Sequence, residues 1–221
     1  DQTAAAHPAA TVIVGHLAQE VGIHFYGSRL AVMPDDPALG KFRKTFANAI
    51  GTFDEYPMVG YQGVTQIISS GEMWKKWREG ERTDSRAFLK ARLFDLVVGN
   101  WDRHQGQWRW ARIEGQPLWQ PFPEDADQAF TRYGGWAMSQ ARHVVPRFMS
   151  YTGEYPKRME GLTTNNYDIT RWMLADVEWP VYEEVARELQ AKMSDAAIDE
   201  AMHLMPPQWY AINGKETLGA L

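Results

Sequence analysis

The chain has 221 residues, 44% of them hydrophobic and 23% charged, the balance of a folded globular protein long enough to bury one sizeable core. Its formal charge of −5 argues against broad nucleic-acid binding, and the lack of any cysteine excludes disulfides, thiolate catalysis and cysteine-ligated zinc. No apolar run approaches the ~20 residues that cross a bilayer, so no transmembrane segment is expected.

The first predicted element is a helix over residues 7–22. Pro8 suits its first position, Ala10, Ile13, Val14, Leu17 and Val21 form its apolar face, and Gly22 stops it. His16 beside that face reads as a partly buried structural histidine, because no second His or carboxylate stands at metal-ligand spacing. Residues 28–33 read as a short strand closed by the turn Pro34-Asp35-Asp36-Pro37. Residues 41–56 fit two patterns. Phe42, Phe46 and Ile50 have helical spacing, whereas residues 50–53 with Tyr56 suit a strand ending at Pro57.

A strand-like run over 64–69 leads into a short helix over 72–77, and Gly80 to Asp84 is a polar break in which Thr83 or Asp84 caps the next helix. That central helix, over 87–98, places Leu89, Leu93, Leu96 and Val97 at i, i+4, i+7 and i+8, the spacing of one buried face. Gly99 and Asn100 break it, and residues 107–112 alternate like a half-buried strand. Between the two lies Gly99-Asn100-Trp101-Asp102-Arg103-His104-Gln105-Gly106-Gln107-Trp108, a polar turn held by regular structure on both sides. Glu114-Gly115-Gln116-Pro117 between Ile113 and Leu118 signals a hairpin, after which Asp125 and Asp127 return as an acidic pair. Five of the ten Trp residues (Trp101, Trp108, Trp110, Trp119 and Trp136) surround this region and read as a core floor, since no run of Lys or Arg interleaves them.

Gly134-Gly135 forms a second break, and the last third is predicted helical: residues 167–175, then a stripe of Val181, Val185, Leu189 and Met193 opened by Pro180. Ser194 caps a final helix carrying Ile198, Ala201, Met202 and Met205, ended by Pro206-Pro207. No internal repeat or low-complexity linker is visible.

The central turn carries the candidate chemistry. Asp102, fixed near a helix end, suits a general base. Gln107, five residues on, and Asp125 or Asp127 from the next strand offer the amide and carboxylate oxygens that a divalent cation takes in phosphate chemistry. Arg103 and His104 would neutralise or hydrogen-bond phosphate oxygens. The plainer alternative makes Asp102 a turn cap and Arg103 its surface partner.

Leu93-Phe94-Asp95-Leu96-Val97-Val98-Gly99-Asn100-Trp101-Asp102-Arg103-His104 resembles the catalytic loop of the atypical protein-kinase-like families that carry Asp-Arg-His. These include phosphatidylinositol 3- and 4-kinases, secretory-pathway kinases and CotH-type spore-coat kinases. Asp125-Ala126-Asp127-Gln128-Ala129-Phe130 resembles the Asp-x-Asp segment of the CotH type. The resemblance implies Asp102 as catalytic base, Gln107 and Asp125 as metal ligands with Asp127 beside them, and ATP with Mg²⁺ or Mn²⁺ as cofactors. Asp54-Glu55-Tyr56 before Pro57 would be the hinge that meets the adenine, which makes Glu55 a nucleotide contact. The chain as a whole, through Asp1-Gln2, His7-Pro8, residues 32–40 and these two motifs, also resembles a group of bacterial envelope-associated proteins, some joined to outer-membrane β-barrel or metallophosphoesterase modules. That implies a bacterial envelope or periplasmic setting.

Two departures stand out. Gln107 occupies the position where most kinases place Asn, and neither a Gly-rich phosphate loop nor a strand lysine precedes the first helix. The chain, opening at Asp1, is therefore expected to be part of a longer protein or a fold kept without activity. The expected fold is α+β and protein-kinase-like, one structural unit with a partial N-lobe over 1–60 and a mainly helical C-lobe over 61–221. The expected function is an ATP- and divalent-metal-dependent phosphotransferase whose phosphoacceptor (a protein, a lipid or a small molecule) is unknown, with no nucleic-acid partner. Two alternatives accompany it: an inactive pseudokinase-like assembly module of the bacterial envelope, and a metal-dependent hydrolase using Asp102, His104, Asp125 and Asp127.

Overall fold

The computed structural model describes residues 5–134, 136–145, 148, 150–155 and 159–221. Asp1, Gln2 and Gly135, singled out above, lie outside the described residues. Helix α1 (Ala10–Glu20) begins two residues beyond Pro8, and its Ala10, Ile13, Val14 and Leu17 are all fully buried, as the 3.6-residue spacing requires. His16 is half-buried against it, in keeping with a structural role.

Strands β1 (Ser28–Val32) and β2 (Ile50–Asp54) form a two-stranded antiparallel sheet in which Val32 faces Ile50 and Ser28 faces Asp54. Between them run a 3₁₀ turn (Pro37–Phe42) and the single turn α2 (Arg43–Phe46). Both readings of residues 41–56 thus hold in part, the helix ending where Asn48 takes a positive φ of 62°. The short helical piece buries nothing: Phe42, Phe46 and Ile50 are all exposed.

The second sheet has the order β3-β4-β5, built from Val64–Ser69, Trp108–Ile113 and Gln120–Pro123, all antiparallel. Helix α3 (Ser70–Arg78) starts directly from β3 through a capping box, Ser69 accepting from the Glu72 N–H while the Glu72 carboxylate accepts from the Ser69 N–H. Asp84 caps α4 (Ser85–Val97), its carboxylate accepting from the Ala87 N–H at 2.8 Å. Thr83 instead makes a bridge to Trp119.

The buried face of α4 differs from the one the leucine spacing predicts. Phe88, Leu89, Ala91, Phe94 and Val98 enter the core together with Arg92 and Asp95, whereas Leu93, Leu96 and Val97 line an open groove against Ala186 and Leu189. A buried ion-pair network, described below, selects that face. Trp101, Trp108, Trp110 and Trp119 are buried as a core floor, with Phe88 stacked beside Trp108 and Trp110 at ring distances of 4.7 and 5.9 Å; Trp136 is 78% exposed and takes no part in it.

The remainder is helical: α5 (Trp136–Val144), α6 (Glu160–Thr163), α7 (Tyr167–Met173), α8 (Trp179–Lys192), α9 (Asp195–Met202), α10 (Pro207–Trp209) and α11 (Lys215–Leu218). Helix α8 packs its Val185 and Leu189 on α4, and α9 packs on α1. Pro206-Pro207 ends one helical stretch but opens another, since Pro at a first helical position costs no hydrogen bond. Among the described residues no helix is long and apolar enough to cross a membrane.

Candidate active site

The central turn is fixed from beneath by Asp95, the one acidic residue of α4. Its carboxylate accepts from Arg92 Nη1 at 2.6 Å, from Arg103 Nε and Nη2 at 3.0 Å each, and from Asn100 Nδ2 at 3.4 Å. All four residues are at most 5% exposed. Charges so far from water must be paired, and here two guanidinium groups share one carboxylate while Arg103 also donates to the carbonyls of Gln107 and Glu124 and lies 5.4 Å over the Trp108 ring. The expectation that Arg103 meets phosphate oxygens is therefore corrected. Its guanidinium is a buried clamp that joins the turn to the segment after β5, which carries the acidic pair, and it is not a surface partner of Asp102 either.

Gly99 opens the turn because no other residue fits there. Its φ is +67°, and a Cβ would stand 2.6 Å from the Tyr151 ring. Past it, Asp102 is half-buried, and its Oδ1 accepts from Asn165 Nδ2 at 2.9 Å. His104 is exposed, and its Nδ1 accepts from the Gly106 N–H at 3.0 Å, capping the short 3₁₀ turn over Gln105–Gln107. The Gln107 amide is buried; Oε1 accepts from the His104 N–H at 3.3 Å and Nε2 donates to Asp125 Oδ2 at 3.0 Å.

Asp125 has a φ of +56°, a conformation that costs most side chains energy and that Asp tolerates through local hydrogen bonding. Three contacts hold it there. Its N–H donates to Tyr26 Oη at 3.0 Å, its Oδ1 accepts from the Asp127 N–H at 3.1 Å, and its carbonyl accepts from Asn100 Nδ2 at 3.3 Å. Phe130 closes the segment in the same left-handed conformation, its N–H bonded to the Val98 carbonyl. Asp127 stands at the exposed edge, where partial desolvation and the neighbouring Asp125 charge push its carboxyl up to about 6. The negative Asp102 raises it further, which brings all three acids within electrostatic reach of one another.

Asp125 and Asp127 line a cleft of about 350 Å³ together with Thr11, Tyr26, Thr52, Asp54, Tyr56 and Glu124. The predicted hinge thus borders the cleft through Asp54 and Tyr56. Glu55, the residue expected to touch the nucleotide, does not line it, because alternate residues of an extended chain face opposite ways. Its N–H continues the strand pairing to the Gly27 carbonyl at 2.8 Å, and its carboxylate lies against Gly27. Tyr26, Asn165 and Thr11 gave no signal in the sequence.

Four carboxylates border this cleft and no Lys or Arg does; Arg109 is spent on Glu124 at 3.2 Å and Tyr56 Oη at 2.9 Å. Among the described residues no three His, Asp or Glu side chains gather at metal-ligand distance. The donor set beside the cleft is instead two lining carboxylates, Asp125 and Asp127, crowded together, with the buried Gln107 amide touching the first. That set fits a hard divalent cation which takes few protein oxygens and keeps several waters, since the cation would relieve the Asp125–Asp127 repulsion. The two ends of an amide are interchangeable in shape, so Gln107 can turn its oxygen to the same point.

No protein-family model and no curated protein matches the chain. Among solved structures, it is similar to the Helicobacter pylori proinflammatory kinase CtkA, with a TM-score of 0.55 at 12% identity over 96% of this chain and 79% of that one. The fold is kinase-like. A chain of the Shewanella oneidensis MR-1 complex of the toxin–antitoxin system HipA and HipB with its operator DNA also matches, at 12% identity and a TM-score of 0.49, over 96% of this chain and 54% of that one. At 12% identity the likeness to the first of these extends to the fold alone.

Proposed function

We propose that this chain is an ATP- and divalent-metal-dependent phosphotransferase. The observation that carries the reading is the 3.0 Å contact between the buried Gln107 and Asp125, which lines an acidic cleft with Asp127, itself within electrostatic reach of Asp102. In this reading Gln107 and Asp125 hold Mg²⁺ or Mn²⁺, with Asp127 as a further carboxylate. The bound cation would neutralise phosphate charge, a role no side chain lining the cleft supplies. Asp102 accepts the proton of the acceptor hydroxyl (in the assay below, water or a hydroxyl of the chain itself) as that oxygen bonds to the γ-phosphorus and the bond from γ-phosphorus to the bridging oxygen breaks, releasing ADP. Asp54 and Tyr56 border the nucleotide at the hinge, and Arg103 acts only by holding the loop. Incubation with ATP and Mg²⁺ or Mn²⁺, followed by ³¹P NMR, tests this. ADP should form, at a rate reduced about 10²-fold or more in Asp102→Asn. Equal rates in the two proteins would overturn the assignment of the base.

A second reading, an inactive nucleotide- or partner-binding module, is favoured by the absence of any cation among the cleft-lining residues. It predicts metal-dependent ATP binding, or none, without ADP formation. A hydrolase with His104 on the metal gains no support, because the Nδ1 of that ring is engaged by its own turn.

A further inference from the structure

The reading above uses Asp102 but leaves unexplained what orients its carboxylate. Several polar side chains of the turn are engaged elsewhere. Asn100 and Arg103 are committed to Asp95, and Gln107 to Asp125 and the His104 N–H. The donor comes from 63 residues further along the chain. Asn165, in the 3₁₀ turn Thr164–Asn166 between α6 and α7, directs Nδ2 at Asp102 Oδ1 over 2.9 Å.

That turn is itself fixed, and its neighbour does the fixing. Asn166 is 1% exposed; its Oδ1 accepts from the indole N–H of Trp108 at 3.2 Å and its Nδ2 donates to Thr170 at 3.2 Å. Trp108 is the first residue of β4, the strand that leaves the catalytic turn. Two consecutive asparagines therefore divide the work. Asn166 locks the turn to the strand after the site, and Asn165 reaches back to the acid within it.

We infer that Asn165 is the positioning residue of Asp102. A neutral amide donor holding one carboxylate oxygen restricts rotation about Cβ–Cγ, and it favours the ionised form of the acid, which is the form a base requires. It does so without adding a positive charge that would weaken the base by far more. The inference rests on the phosphotransferase reading only for the word base; the hold of Asn165 on the carboxylate is a statement about this turn alone.

The test pairs a direct titration with turnover. The Asp102 carboxyl carbon is followed by ¹³C NMR against pH in the native chain, in Asn165→Ala and in Asn165→Asp, with Asp102→Asn to assign the signal. Losing a donor to the charged form raises an acid's pKa, so Asn165→Ala should move the midpoint up by roughly half a unit or more, and Asn165→Asp, which sets a like charge against it, by more. ADP formation should fall about tenfold in Asn165→Ala with the KM for ATP unchanged, its acid limb moving up with the titration. Asn165→Gln, which keeps the donor on a longer stem, should recover part of both. An unmoved midpoint in folded Asn165→Ala and Asn165→Asp overturns the inference. A moved midpoint in a chain that never forms ADP upholds the hold on Asp102 and refutes the phosphotransferase reading, so the two failures are distinct.

Discussion

Two residues of the cleft, Asp127 and Tyr26, and the buried His7 can each be tested singly. Asp127 binds its proton more tightly in the folded chain, at about 6 against an ordinary 3.8, so its ionisation costs stability as pH rises from about 4 to 6. A cation beside Asp125 relieves that cost only once Asp127 is charged. The rise in melting temperature given by Mg²⁺ or Mn²⁺ should therefore be small at pH 5 and grow towards pH 7, and Asp127→Asn should flatten the profile. Tyr26 is the second such residue. Tyr26→Phe removes the acceptor of the Asp125 N–H while leaving the ring packed on Phe25 at 4.5 Å. An unpaired donor at a strained position costs about 1–3 kcal/mol, so denaturant melts should show a loss in that range and calorimetry a weaker affinity for Mn²⁺. His7 titrates in the other sense. Burial lowers it to about 4 from an unfolded 6.5, so stability present above pH 6.5 is lost as pH falls towards 4, by roughly 3 kcal/mol in all. His7→Phe should remove that slope from the melting curve.

At the scale of elements, the central turn is tied to α4 and to the segment after β5 through Asp95 and Arg103. Asp95→Ala leaves two guanidinium groups buried with no carboxylate, and breaking such a pair costs about 3–5 kcal/mol, a large share of the ~5–15 kcal/mol that holds an ordinary domain, so denaturant melts should show a loss of that size. An Asp95→Ala protein of undiminished stability would contradict the clamp. The same pair explains where reading the sequence by apolar spacing misleads. Leu89, Leu93, Leu96 and Val97 describe a helix correctly, but spacing cannot say which face a buried charge will claim. Arg92 and Asp95, three residues apart, turned that face inward. Helix starts were legible wherever a side chain signs them, as at Asp84 and Ser194. The 3₁₀ turn holding Asn165 was not, because its contacts with Asp102 and Trp108 span 63 and 58 residues and leave no local pattern.

For the whole molecule, the α+β, kinase-like fold was readable, and the order of helix, turn, hairpin and acidic return appears in the chain as the spacing predicts. What surrounds the nucleotide cleft was less so: the turn predicted Glu55 as its contact, whereas strand alternation gives Asp54 and Tyr56 to the cleft. The cleft as built is acidic, and a triphosphate carries the same sign, so the two repel unless a cation intervenes. Isothermal calorimetry with ATP measures this most directly, on the native chain with and without Mg²⁺ and on Asp125→Ala and Asp102→Asn. Binding should require the metal, vanish in Asp125→Ala and persist in Asp102→Asn, since a base is needed for transfer and not for binding. Binding that ignores the metal, or survives in Asp125→Ala, would contradict a metal–nucleotide site in this cleft.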